Sequence, residues 1–219
     1  MLLHDQMKFG QKCWLSIAVI ALAANGLLTL AFSSAPTALL DGQAAKPGAS
    51  MVELSVNPAQ SSLHYTVDSS LHTVHGTFAI KSGKFELVAN QNQLTGEIKV
   101  DASSGDSGNQ SRDNKMHKEV LESSRYGEAT FRAQTMDGKI LAAGSSDVQL
   151  HGVLVLHGAE HVITVPVNVE VGSGRWKGTG KFEIPFVGWG MKDPSNFLLK
   201  LAKVVTIDVT LAGDTRETR

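Results

Sequence analysis

Seven histidines lie between residues 64 and 161: His64, His72, His75, His117, His151, His157 and His161. Imidazole is the commonest metal ligand, and joint ligation needs side chains on a shared face. His72 and His75 stand three apart in an alternating stretch, so as strand residues they point to opposite faces. His151 and His157 share a parity, but it is the polar one, with Gln149. Solvated strand histidines are therefore the simpler reading, and a histidine-based metal protein the lesser alternative. The single cysteine, Cys13, rules out an intrachain disulfide and any multi-cysteine zinc or iron–sulfur site. Ser103-Ser104-Gly105 and Ser123-Ser124 read as turns. No Gly-x-Ser-x-Gly elbow occurs, and no Gly-rich loop leads from a strand into a helix to cradle phosphate. Nothing here calls for catalysis or a cofactor, so the expectation is a binding protein and not an enzyme.

Charged groups that could meet a polar headgroup are few. Arg112 and Asp113 are neighbours, and neighbours on a helix do not face each other. Each must pair elsewhere, by capping a turn or by touching a ligand. Lys115 and Arg125 are weaker candidates of the same kind. His161 opens the apolar parity of its segment and could meet a headgroup from inside.

The elements that hold these residues alternate with a period of two. In 161–171, His161, Ile163, Val165, Val167, Val169 and Val171 share one parity, while Val162, Thr164, Pro166, Asn168 and Glu170 share the other. Strands place alternate residues on opposite faces. The same pattern marks 94–101, 148–156, 175–184 and 204–211, and more weakly 63–67, 74–80, 85–87 and 129–133. Short turns such as Ser82-Gly83, Asp137-Gly138 and Gly172-Ser173-Gly174 separate these segments. One apolar and one polar face per strand means antiparallel pairing. The expected fold is all-β: an antiparallel, up-and-down, eight-stranded lipocalin-like barrel, with a two-sheet sandwich as the alternative. Two segments break the period. Residues 110–122 place Met116, Val120 and Leu121 at helical spacing, with Asn109 or Ser111 as cap. Residues 194–202 read as a second short helix starting at Asp193-Pro194 and lying across a barrel end.

A barrel of this size either fills its interior or holds a ligand. Tyr65, Phe78, Phe131, Trp176 and Phe182 would wall such an interior. Ile98, Leu154, Leu156, Ile163 and Val165 would lie between them, with Gly152 and Gly178 as gaps. Inward glycines fit a slot for a long apolar ligand, and equally fit bends and bulges of a packed barrel. The second reading makes the domain a structural or protein-interaction module.

The chain begins differently. Residues 13–40 carry no charge, and an apolar run at 14–32 follows Lys8 and Lys12. This reads as a signal peptide or an uncleaved signal anchor over residues 1–32. An Ala-, Ser-, Pro- and Gly-rich linker follows at 33–50, and the barrel domain occupies 51–219. Either reading exports the domain, to the periplasm or outside, or holds it at the inner membrane through residues 14–32. The 20 basic and 21 acidic side chains give a net charge of −1. No basic excess is available to bind nucleic acid through phosphates. Hydrophobic residues at 42% suffice for a core, which argues against global disorder.

Gly76-Thr77-Phe78, the run Gly108-Asn109-Gln110-Ser111-Arg112-Asp113, Tyr126 before Phe131, and Gly152-Val153-Leu154-Val155-Leu156-His157-Gly158 occur in an order that resembles the YceI-like domain, over nearly all of residues 51–212. The resemblance implies a lipocalin-like barrel with an elongated apolar pocket. It further implies a periplasmic or secreted polyisoprenoid-binding protein without enzymatic activity. Its partner would be a long-chain lipid: a polyisoprenoid, an isoprenoid quinone or a fatty-acid-like amphiphile, with the membrane as source. Lys115-Met116 stands where the family often has His-Leu, Val120-Leu121 replaces the usual aromatic pair, and Gly127 takes the place of a common Pro. The end region 184–194 is extended. These departures fall near the expected pocket mouth.

Overall fold

The alternating runs form nine strands in the computed structural model, which describes residues 51–88, 91 and 93–218. The apolar run at 14–32 and the linker at 33–50 lie outside the described residues. The strands are β1 Met51–Ser55, β2 Ser62–Asp68, β3 Thr73–Val88, β4 Gln93–Asp106, β5 Glu128–Asp137, β6 Gly144–Leu156, β7 Ala159–Gly172, β8 Arg175–Ile184 and β9 Val205–Thr218. From β2 to β9 each strand pairs antiparallel with the next, and β9 pairs back onto β2, so the ladder closes. Closure removes the free edges that would otherwise template aggregation.

Eight staves result from nine strands because β1 and β2 share one position. β3 pairs residues 73–78 with β2 and 84–88 with β1. β9 does likewise, with Thr206–Thr210 against β2 and Thr215–Thr218 against β1. A single 3₁₀ turn at Pro58–Gln60 breaks the stave, capped by the Asn57 side chain accepting from the Ala59 amide at 3.0 Å. Proline supplies no donor there and has the fixed φ a helical start needs.

Two hairpins show why the connections are so short. His157 (φ 52°) with Gly158 (φ 76°), and Ser173 (φ 53°) with Gly174 (φ 74°), join Leu156 to Ala159 and Gly172 to Arg175. Two consecutive left-handed residues make the turn whose twist matches antiparallel strands. Ser82-Gly83, in contrast, is no turn. β3 runs straight through it, and the irregularity is a bulge, with Ile80 opposite Val100 and Ser82 opposite Lys99. The extra residue bends the long strand around the barrel.

Between β4 and β5 the helical spacing at 110–122 is realised as α1, Gln110–Lys115, continuing into a π-helical turn at Met116–Val120. Asn109 caps α1, its side chain accepting from the Arg112 amide at 3.0 Å. The second expected helix, 194–202, does not form. Asn196 Oδ1 accepts from the amides of Leu198 and Leu199 at 2.9 and 2.8 Å, and the Asp193 carboxylate accepts from the Ser195 amide at 2.9 Å. These local side-chain bonds take donors a helix would need. The end of the segment is instead tied to the β2–β3 hairpin, where Ser69 bridges Leu201.

Candidate ligand-binding cavity

Up-and-down topology sends the β2–β3, β4–β5, β6–β7 and β8–β9 connections to one end, called here the upper end. The inward parities of all eight staves enclose a cavity of about 640 Å³. From β8, Trp176, Gly178, Gly180, Phe182 and Ile184 all face it, and from β9 so do Val205, Ile207, Val209 and Leu211. These are the alternating sets of the sequence, and the strand period alone aims them inward.

The lower end is closed by side chains. Trp176 is buried, meets Phe85 edge-on at 6.1 Å between centroids, and donates its indole N–H to the Ser55 carbonyl at 2.8 Å. That carbonyl terminates β1, where the broken stave crosses β9 so closely that a Cβ on Gly213 would collide with Ser55 oxygen. Leu54, Leu94, Ile140 and Val169 fill the space around the indole.

Polar lining occurs only at the upper end: Ser69 and His72 from the β2–β3 hairpin, and Asn109, Ser111, Arg112 and Lys115 from the start of α1. Met116, Val120, Leu121, Phe186, Met191, Pro194, Leu199 and Leu201 complete this end. Arg112 Nε donates to Ser107 Oγ at 2.7 Å and Nη2 to the Ser107 carbonyl at 2.9 Å. The Asp113 carboxylate accepts from the Ser107 amide at 3.0 Å and from its hydroxyl. The adjacent pair thus converges on one serine, and Arg112 fixes a turn while its guanidinium borders the cavity. Burial raises the Tyr65 hydroxyl above the usual tyrosine range, opposed by a hydrogen bond with Ser107, so the phenol stays neutral. Lys115 Nζ donates to the Pro194 carbonyl at 2.9 Å, which spans the mouth.

Of the residues expected to wall a pocket, Tyr65, Phe78, Ile98, Phe131, Leu154, Leu156, Val165, Trp176, Phe182 and Gly178 line the cavity, as do Arg112 and Lys115 at its mouth. Gly152, Ile163 and His161 do not. The place beside Gly152 is occupied by the Phe131 ring. Ile163 packs on the upper hydrophobic cluster. His161 stacks on Trp189 at 3.8 Å between centroids and 5° between planes, away from the cavity. His151 and His157 do not share a face: His157 sits in a turn, paired with Glu122 at 2.9 Å, while His151 bridges Thr164 and Asp137 on the outside. Phe186, Met191 and Leu199 were not legible as lining, because their loop has no period to read.

The fold and its interior define a class: lipocalin-like antiparallel barrels with an apolar cavity open at one end. The YceI-like domain family matches residues 54–213, and the chain belongs to that family. No curated protein matches it. Among solved structures it is similar to BcnA of Burkholderia cenocepacia, at 17% identity and a TM-score of 0.59 over 72% of this chain and 99% of that one. It is also similar to a polyisoprenoid binding domain from Saccharophagus degradans implicated in plant cell wall breakdown, at 18% identity and a TM-score of 0.59 over 74% and 98%.

Proposed function

We propose that this domain is an exported carrier that sequesters a long apolar amphiphile, a polyisoprenoid, isoprenoid quinone or fatty-acid-like lipid, with the tail in the cavity and the headgroup at the upper rim. The supporting observation is the distribution of polarity: hydrocarbon side chains along the barrel, and Arg112, Lys115, Asn109 and Ser111 only at the mouth. Each methylene removed from water is worth about 0.8 kcal/mol, so a long chain gains strongly from entering such a space. The polyisoprenoid-binding description of the Saccharophagus degradans domain agrees with this reading. Export rests on the apolar run at 14–32 behind Lys8 and Lys12. Residues 51–219, purified from a bacterial host, should carry a prenyl or acyl lipid in native mass spectrometry, or take one up on titration. An empty protein that binds neither class would overturn the reading.

A further inference from the structure

Among the described residues, the most exposed large apolar side chains are Phe197 at 94%, Val162 at 85%, Leu198 at 80% and Leu71 at 72%. Three of these belong to two loops that are bonded to each other at the upper end. The Ser70 amide donates to the Lys200 carbonyl at 2.8 Å, the Lys200 amide to Ser70 Oγ at 3.2 Å, and the Ala202 amide to the Asp68 carbonyl at 2.7 Å. The Asn196 side chain fixes the tip by accepting from the two amides that follow Phe197. The loop pair is therefore two-sided. Ser69, His72, Leu199 and Leu201 face the cavity, while Leu71, Phe197 and Leu198 face outward.

Soluble surfaces rarely group fully exposed Phe and Leu side chains at one tip without a partner. Lys192, Lys200 and Lys203 flank this tip; Lys192 is paired with Glu119 at 2.6 Å and Lys203 lies 4.0 Å from Asp193. Lys200 takes part in no ion pair among the described residues. Apolar side chains backed by the charge of Lys200 suit the boundary between acyl chains and anionic headgroups. The tip is also continuous with the cavity mouth, and the opposite end is sealed by Trp176 on Ser55. The same two loops supply Ser69, His72, Leu199 and Leu201 to the lining of the cavity at this end.

We propose that Leu71, Phe197 and Leu198 form a lip that docks on an anionic phospholipid bilayer, so that a lipid tail passes from the membrane into the barrel. This inference rests on the reading of the cavity as a lipid site. The Ala45–Arg219 unit is compact and its ladder closes within it, so residues 51–219 are tested without the apolar N-terminal run, which would bind vesicles by itself. The probe is vesicles of phosphatidylethanolamine and phosphatidylglycerol in a flotation assay. The parent should float with the vesicles, and the double variant Phe197→Ser/Leu198→Ser should bind at least roughly tenfold more weakly, given the apolar area lost. Leu71→Ser should weaken binding less, and Lys200→Glu should weaken it most at low salt. Because these side chains are exposed, thermal melting should not change. Parent and double variant floating equally, or no flotation of the parent, would overturn the proposal. So would a parent dimer that the double variant abolishes without vesicle binding, since the lip would then cover itself with a second copy. Native mass spectrometry separates the two readings: lipid retained in the barrel without flotation sinks the lip alone, whereas lip-dependent flotation with an always-empty barrel sinks the carrier.

Discussion

Gly152 is the seat of Phe131. A methyl group placed on Gly152 would stand 2.8 Å from the Phe131 ring and closer still to the Arg132 carbonyl. The glycine does not leave an open slot; it lets an aromatic ring lie against the barrel wall, as Gly76 does for Tyr65. Gly178 differs, since it lines the cavity and a Cβ there meets the Trp176 ring at 3.1 Å and Val167 Cγ1 at an ordinary 3.7 Å, with no backbone atom among its nearest neighbours. Gly152→Ala is therefore expected to destabilise the domain by about 1–3 kcal/mol through overpacking. Gly178→Leu should fold with a smaller loss but take up less lipid. Thermal melts and a fluorescent fatty-acid titration on both variants check the contrast. Equal loss of stability in the two would refute it.

Trp176 closes the lower end by both packing and a hydrogen bond. Trp176→Phe keeps an aromatic ring against Phe85 but leaves the Ser55 carbonyl without its donor. The bond is part-buried, so its loss costs about 1 kcal/mol, toward the low end for an unpaired acceptor, and a domain of this size loses about 2–4 °C in melting midpoint per kcal/mol. The expected result is a lowered midpoint with lipid still bound, measured by calorimetry on empty and loaded protein.

The strands were legible because one face of each is apolar and one is wet: β7, β8 and β9 follow their alternation almost residue for residue. Alternation alone also aims Trp176 and Phe182 inward. It could not show that Gly152 is filled by Phe131, since parity gives direction and not depth. β1 was missed because five residues paired to two different strands carry little period. The false helix at 194–202 had the right apolar content, but Asn196 and Asp193 spend their side chains on nearby amides, a local competition that spacing does not register. His161 has inward parity at the very start of β7, where the barrel wall ends and a loop tryptophan covers it.

An ion pair ties together two segments whose adjacent residues, Val120 and Met191, line the upper end of the cavity. Lys192 Nζ lies 2.6 Å from Glu119 Oε2, joining the π-helical turn to the loop after β8. The hydrogen bond and charge of Lys192 hold the Glu119 carboxyl below its usual range, against a smaller opposing effect of burial. The Glu119 carboxylate consequently loses its charge at a lower pH than an ordinary glutamate does. Both side chains are exposed, so their contribution to stability is small and screened by salt. Lys192→Ala is expected to leave the melting midpoint nearly unchanged while lipid dissociates faster. Stopped-flow transfer of a fluorescent lipid to acceptor vesicles measures this, and an unchanged rate would remove the ion pair from the mechanism.

The His161–Trp189 stack gives a pH dependence of known sign. His161 Nε2 is buried without a hydrogen-bond partner, and burial holds the imidazole below its usual pKa. The unfolded chain takes up this proton near about pH 6.5, while the folded chain resists it. Between the two values the unfolded state binds more protons, so stability is full above the unfolded pKa and falls as pH drops toward the folded one. A His161→Phe variant isolates this one residue while keeping an aromatic ring against Trp189. Urea midpoints of parent and variant should run parallel above about pH 7.5 and diverge toward about pH 5, the parent losing more. Tryptophan fluorescence should report loosening of the stack over the same interval. A parent-minus-variant difference that stays constant across the range would show that His161 protonates as freely in the barrel as in the unfolded chain.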